Sequence, residues 1–141
     1  MRVRVLLGSV LLSGFWHESM SKLIHLVDDD AAVRGLLRET LELLTYTVWD
    51  ADGGEAALKL LARRRPDLLL ADFAMPQMNG AQLAKAARAI WPGLPILFAS
   101  GHADTAAIEA AVGPDAPILR KPFEMDVLAR AISEAMAGPA T

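Results

Sequence analysis

Chemically capable side chains sit at the ends of four apolar runs in this chain. Asp28-Asp29-Asp30 follows "KLIHLV", Asp72 follows "DLLLA", Ser100 closes "PILFAS", and Lys121 follows "APILR". A lone carboxylate in apolar surroundings is costly. Several carboxylates close together repel and raise one another's pKa unless a cation intervenes. Oxygen ligands without His or Cys favour a hard ion, and few protein ligands with room for water favour Mg²⁺. Asp72, kept ionised by a metal and by Lys121, would be a nucleophile suited to accept a phosphoryl group. Two cations can neutralise charge on the transferred oxygens. The Ser100 hydroxyl can donate to a phosphoryl oxygen; taken alone it also reads as a capping or strand-end serine.

Those four positions converge only if the apolar runs are neighbouring strands. From Ser21 onward, runs at 22–27, 46–51, 67–71, 95–100 and 116–120 read as strands, alternating with amphipathic segments. The first segment carries Val33, Leu36, Leu37, Thr40, Leu41 and Leu44 at the i, i+3, i+4, i+7 spacing of a helix. Further helices are expected over 54–65 (Ala57, Leu58 and Leu61 inward), 81–91 (Leu83, Ala87 and Ile90 inward), 105–112, and 124–137 (Val127, Leu128, Ala131, Ile132 and Ala135 inward). Strands that are apolar throughout, each followed by a helix, imply an α/β fold with a parallel sheet covered on both faces. In such a fold ligands gather at the carboxyl ends of the strands, near the point where strand order reverses. All four stretches belong there.

Composition narrows the function classes. A chain of 141 residues with 53% apolar and 22% charged residues is one globular domain by prior. Net charge is −3, which offers no electrostatic footprint for direct nucleic-acid binding. Arg63-Arg64-Arg65 falls where a helix should end and suits the helix dipole. Cysteine is absent, which removes disulfides and thiolate chemistry, and the three histidines show no ligand spacing. Residues 1–20, "MRVRVLLGSVLLSGFWHESM", are read as an extension, an upstream start or a loose tail ahead of Met20. They resemble a weak signal peptide without a good cleavage site, and their apolar run is too short to span a bilayer. The expected organisation is therefore residues 1–20 as extension, 21–138 as the domain and 139–141 as tail, with no membrane association, a cytoplasmic location and no output domain after the last helix.

"LVDDD", "LLLADFAMPQMNG", "ILFASGH" and "LRKPF", in this order and spacing, resemble the receiver domain of two-component response regulators. The resemblance covers residues 22–137, and its last two stretches are similar to receivers that accompany hybrid sensor histidine kinases. It implies a flavodoxin-like sheet with strand order 2-1-3-4-5. It implies Asp72 as phosphoacceptor, and Mg²⁺ held by Asp28, Asp29, Asp72 and the backbone carbonyl of Ala74. Ser100 would be the switch hydroxyl, Lys121 the phosphate partner, and Lys121–Pro122 a cis peptide. The phosphoryl donor would be a sensor histidine kinase or a histidine phosphotransfer protein, and the downstream protein target is not encoded in any readable motif. Output would be a protein contact or onward phosphotransfer, and the chain would not be an enzyme beyond self-catalysed phosphorylation and dephosphorylation. Asp30 reads as the N-cap of the first helix.

Several positions depart from the family pattern. Thr45 stands where relatives commonly place Gly after the first helix. A left-handed cap is costly for a β-branched residue, so another helix ending is expected. Ile118 replaces the aromatic that usually couples to the switch hydroxyl, which points to signalling by helix and loop shifts. Both positions bear on phosphoryl lifetime: Ala74 cannot hold an attacking water, whereas His102 could orient one or crowd the approach, so loss of the phosphoryl group is expected to be set largely by His102. Three other readings fit less well. A haloacid-dehalogenase-like phosphatase fits Asp28-Asp29-Asp30 formally but wants Thr or Val at Ala32 and leaves Asp72 without a task. An EF-hand fails at Ala32 and Val33. A phosphorylation-independent, receiver-like binding module would be expected to lack Asp72 or Lys121, and both are present.

Overall fold

Five parallel strands form one sheet in the order β2-β1-β3-β4-β5, with β1 Leu23–Val27, β2 Thr47–Ala51, β3 Leu68–Asp72, β4 Ile96–Ser100 and β5 Ile118–Arg120. The computed structural model describes residues 21–138; the expectations for 1–20 and for the 139–141 tail lie outside the described residues. Every residue of β1, β3 and β4 is buried. Side chains alternate across a strand, so Leu69, Ala71, Ile96 and Phe98 feed one core while Leu68, Leu70, Leu97 and Ala99 feed the other. Continuous apolar runs are thus what a two-sided sheet requires.

Helices α1 (Ala31–Leu43) and α5 (Met125–Ala137) cover one face, burying Leu37 and Leu41, and Leu128 and Ile132. Helices α2 (Gly54–Arg63), α3 (Gly80–Ile90) and α4 (Thr105–Val112) cover the other through Ala57 and Leu61, Leu83 and Ala87, and Ile108. Two helix starts are chemically fixed. Asp30 accepts from the amides of Ala32 and Val33, and Asn79 and Gln82 form a capping box at α3.

The structure corrects several expectations. Thr45 does take the left-handed conformation, at φ 74°. Its amide donates to Glu42 and the Tyr46 amide to Leu41, at 2.9 and 3.1 Å, which is the paired bonding of a Schellman ending. Two backbone bonds, with half-buried Tyr46 packed against the core that contains Leu41, offset the β-branched penalty. Leu36 and Val127 are exposed rather than inward. Each lies about 100° around its helix from the buried residue that follows it, Leu37 or Leu128, outside the buried arc. Ile90, the last residue of α3, is also exposed. Helix α2 stops at Arg63, before Arg65, whose helical conformation is disfavoured by the following Pro66. Strand β5 begins at Ile118 because Pro117 has no amide to donate.

Within β1 itself one buried residue is not apolar. His25, on β1, is fully buried, and neither ring nitrogen has a hydrogen-bond partner. Its ring stacks on Trp49, its register partner on β2, at 5.4 Å and 12°, and the Arg63 guanidinium lies 5.1 Å from the Trp49 ring centroid.

Candidate functional site

Strands β1 and β3 lie side by side where the chain winds outward from β1 in both directions, the switch point of an open sheet, with the carboxyl ends of β4 and β5 next in line. Asp28 follows β1, with its amide donating to the Ala51 carbonyl at the end of β2. Asp72 is the last residue of β3, and Phe73 continues the pairing by donating to Ala99. Lys121 follows β5 and donates its amide to the carbonyl of Ser100. The ladder that builds the sheet therefore also fixes where these three side chains start.

Their side chains converge. Lys121 Nζ lies 3.3 Å from Asp28 Oδ2 and 3.2 Å from Asp72 Oδ1, bridging both acids. Asp28, Asp29 and Asp72 each offer a carboxylate oxygen within 4.8 Å of the others. Asp28 and Asp72 are buried and Asp29 is exposed, so the cluster opens to solvent on one side. Asp28 is fixed further: its Oδ1 accepts from the Asp30 amide at 2.9 Å, and its main-chain carbonyl accepts from Arg34 Nη1 at 2.7 Å.

Burial pushes the Asp72 carboxyl above the usual carboxylate range; Lys121 opposes that shift, while Asp28 and Asp29 add to it. For Lys121, burial alone would lower the ammonium's pKa, but the carboxylates of Asp28 and Asp72 override it and hold the amine above its ordinary value. The donor set suits a small hard cation. Oxygens around Mg²⁺ at about 2.1 Å lie at most about 4.2 Å apart, so an oxygen cluster of this width closes on such an ion with small side-chain shifts. Among the described residues no His or Cys joins the cluster to select a softer metal.

The loop after β3 holds Asp72 from behind. A Cβ on Gly80 would come within 2.9 Å of Phe73 Cα and 3.0 Å of the Asp72 carbonyl, so only glycine lets α3 start against the acid-bearing strand end. Gln77 has φ 71°, and the Met78 amide bonds back to the Pro76 carbonyl at 2.7 Å, a tight turn that side-chain-bearing residues rarely adopt. Ala74 is exposed in this loop. Ser100 is buried and donates to the Gly101 carbonyl at 3.1 Å. Ile118 is half-buried beside Phe98, its register partner. The Lys121–Pro122 bond is cis. His102 begins a 3-10 turn over His102–Asp104, and its side chain lies outside what the structure describes. Arg34, Asp50, Gln77 and Gly80 were not singled out from the sequence.

The fold agrees with comparison to known proteins. Residues 24–133 match the response regulator receiver domain family. The chain belongs to this family. Response regulator receiver protein CpdR of Brucella abortus is 38% identical over 114 residues, covering 80% of this chain and 95% of CpdR. Response regulator MprA of Mycobacterium ulcerans is 39% identical over 112 residues, or 77% of this chain; the chain spans 47% of MprA's length. A receiver protein structure from Sinorhizobium medicae superposes with a TM-score of 0.77 at 30% identity, covering 85% of this chain and 98% of that one. Residues 24–133 form a receiver domain, and nothing in the geometry of the described residues favours the phosphatase alternative. Among the described residues no helix is long and apolar enough to cross a membrane.

Proposed function

We propose that this receiver takes a phosphoryl group from the phosphohistidine of a sensor histidine kinase or a histidine phosphotransfer protein onto Asp72. The observation that carries the reading is the convergence of buried Asp72 with Asp28, Asp29 and the Lys121 ammonium at the strand ends. An Asp72 oxygen attacks phosphorus as the nitrogen–phosphorus bond breaks, and the departing imidazole keeps the bonding pair and takes up a proton. Asp28, Asp29, Asp72 and the Ala74 carbonyl would hold Mg²⁺. Bound there, the ion would neutralise charge on the phosphoryl oxygens.

The chain's own residues have distinct tasks in this reading. Lys121 keeps Asp72 ionised against burial, then shifts its ammonium from the acid to a phosphoryl oxygen. Ser100 exchanges the Gly101 carbonyl for another phosphoryl oxygen. With Ile118 lacking an aromatic ring to swing inward, the change would spread through α4, β5 and the loops between them. Ala74, two residues after the acceptor, and His102, two after Ser100, would set how long the phosphoryl group survives. The modified protein is itself the product, so we read it as a cytoplasmic signalling phosphoacceptor without turnover on a separate substrate. Its output would be a protein contact or onward transfer to a second histidine, not direct binding to nucleic acid.

Incubation with acetyl phosphate and Mg²⁺ tests the assignment. One hydroxylamine-labile phosphoryl group per chain, seen by intact mass, is expected in the unaltered protein and absent in Asp72→Asn. Labelling that persists in Asp72→Asn would overturn it.

A further inference from the structure

Arg34 is a charged residue near the acids that the proposed reaction does not use. It sits in the first turn of α1, part-buried, and joins two elements. Its Nη1 donates to the Asp28 main-chain carbonyl at 2.7 Å, and its Nε lies 3.4 Å from Asp50 Oδ2 on β2. Asp50 is held in turn by Arg38 Nη1 at 3.0 Å, and Arg38 Nε reaches Glu42 Oε2 at 3.1 Å. The β1–β2 register ends at Val27 and Ala51. Beyond that point the Asp28 carbonyl has left the regular ladder, and a side chain from the helix takes over as its donor.

We propose that Arg34 is a positioning residue for the cation site: it pins the backbone that aims Asp28 and Asp29 and so raises affinity for a divalent ion. The inference rests on the metal reading above. Two effects of Arg34 oppose each other. Its positive charge would repel a cation, whereas its hydrogen bond prearranges the ligands that bind one. Asp50 pairs with the guanidinium and cancels most of its distant field, so prearrangement wins. Groups that orient metal ligands without touching the ion typically change affinity by about 10- to 100-fold when removed. The two effects differ in sign, which makes them separable by experiment.

The experiment is calorimetric titration of MgCl₂ into the full chain after EDTA treatment, for the unaltered protein, Arg34→Ala, Arg34→Lys and Arg38→Ala. Arg34→Ala should weaken Mg²⁺ binding about tenfold, and Arg34→Lys should recover part of the loss by donating one bond to the Asp28 carbonyl. Arg38→Ala, which touches Asp50 but not Asp28, should change affinity less than twofold. Circular dichroism and the metal-free melting temperature report folding separately. If Arg34→Ala fails to fold, Arg34→Met, which keeps the length of the side chain but has no donor for the Asp28 carbonyl, takes its place and must lose threefold or more in affinity. For a folded Arg34→Ala, a loss of threefold or more with recovery in the lysine variant supports the role. A smaller loss, any tightening, or a lysine variant no better than alanine overturns it. A chain that takes no Mg²⁺ before any substitution would sink the metal reading and this inference together. Normal binding with unaffected Arg34 variants would sink this inference alone.

Discussion

Lys121 reaches two acids that come from different strands, and each acid would otherwise face the other across a low-dielectric gap. Removing it should act in two ways at once. Lys121→Met leaves Asp28 and Asp72 unneutralised, and breaking a buried ion pair from one side costs up to 3–5 kcal/mol. Because Lys121 is itself about a quarter exposed, with 28% of its side chain accessible, we expect about 2 kcal/mol without metal. Melting curves in EDTA should show that loss. Added Mg²⁺ should raise the melting temperature of the variant more than that of the unaltered chain, since a divalent ion replaces the missing charge; an equal rise in both would contradict this. The positions of Asp28, Asp29, Asp72 and Lys121 were legible in the sequence because a charge at the end of an unbroken apolar strand has few explanations. Arg34 and Asp50 were not, because an arginine on a helix and an aspartate on an edge strand are ordinarily solvated, and no spacing distinguishes those that are not.

Helix ends show where local rules mislead. A β-branched residue at φ 74° breaks the usual preference, yet the chain needs a left-handed residue after α1 to turn directly into β2. Thr45→Gly should therefore stabilise the protein by roughly 1 kcal/mol, the strain released at such a position less the entropy glycine adds to the unfolded chain. Urea denaturation would register this as a higher midpoint with unchanged slope, and a lower midpoint would mean that the bond the Thr45 hydroxyl donates to the Leu44 carbonyl outweighs the strain. The strands and helix order were readable from periodicity, because five apolar runs too short for helices leave little else. Which flank of a helix faces water was less readable: Leu36 and Leu43 lie about 20° apart on the wheel, just outside the buried arc of α1, and hydropathy alone cannot draw that edge.

At the scale of the whole molecule, His25 ties stability to acidity. Burial, helped by Arg64, lowers its pKa from 6.5 to about 4. Between those values the unfolded chain binds more protons than the folded one, so folding is unaffected above about 6.5 and weakens as pH falls toward 4. The slope is about 1.4 kcal/mol per pH unit, or roughly 3 kcal/mol over the window. His25→Phe keeps a ring on Trp49 but cannot titrate. Urea unfolding from pH 7.5 to 4.5 should show a steeper loss for the unaltered chain than for the variant, and parallel curves would refute the link.

The bond between Lys121 and Asp28 spans 93 positions of sequence, and that between Lys121 and Asp72 spans 49. During synthesis the two acids emerge well before the amine that reconciles them. A chain that ends before β5 carries both acids without their counter-charge. Because Lys121 follows the last strand, the ribosome delivers the amine after every other member of the cluster.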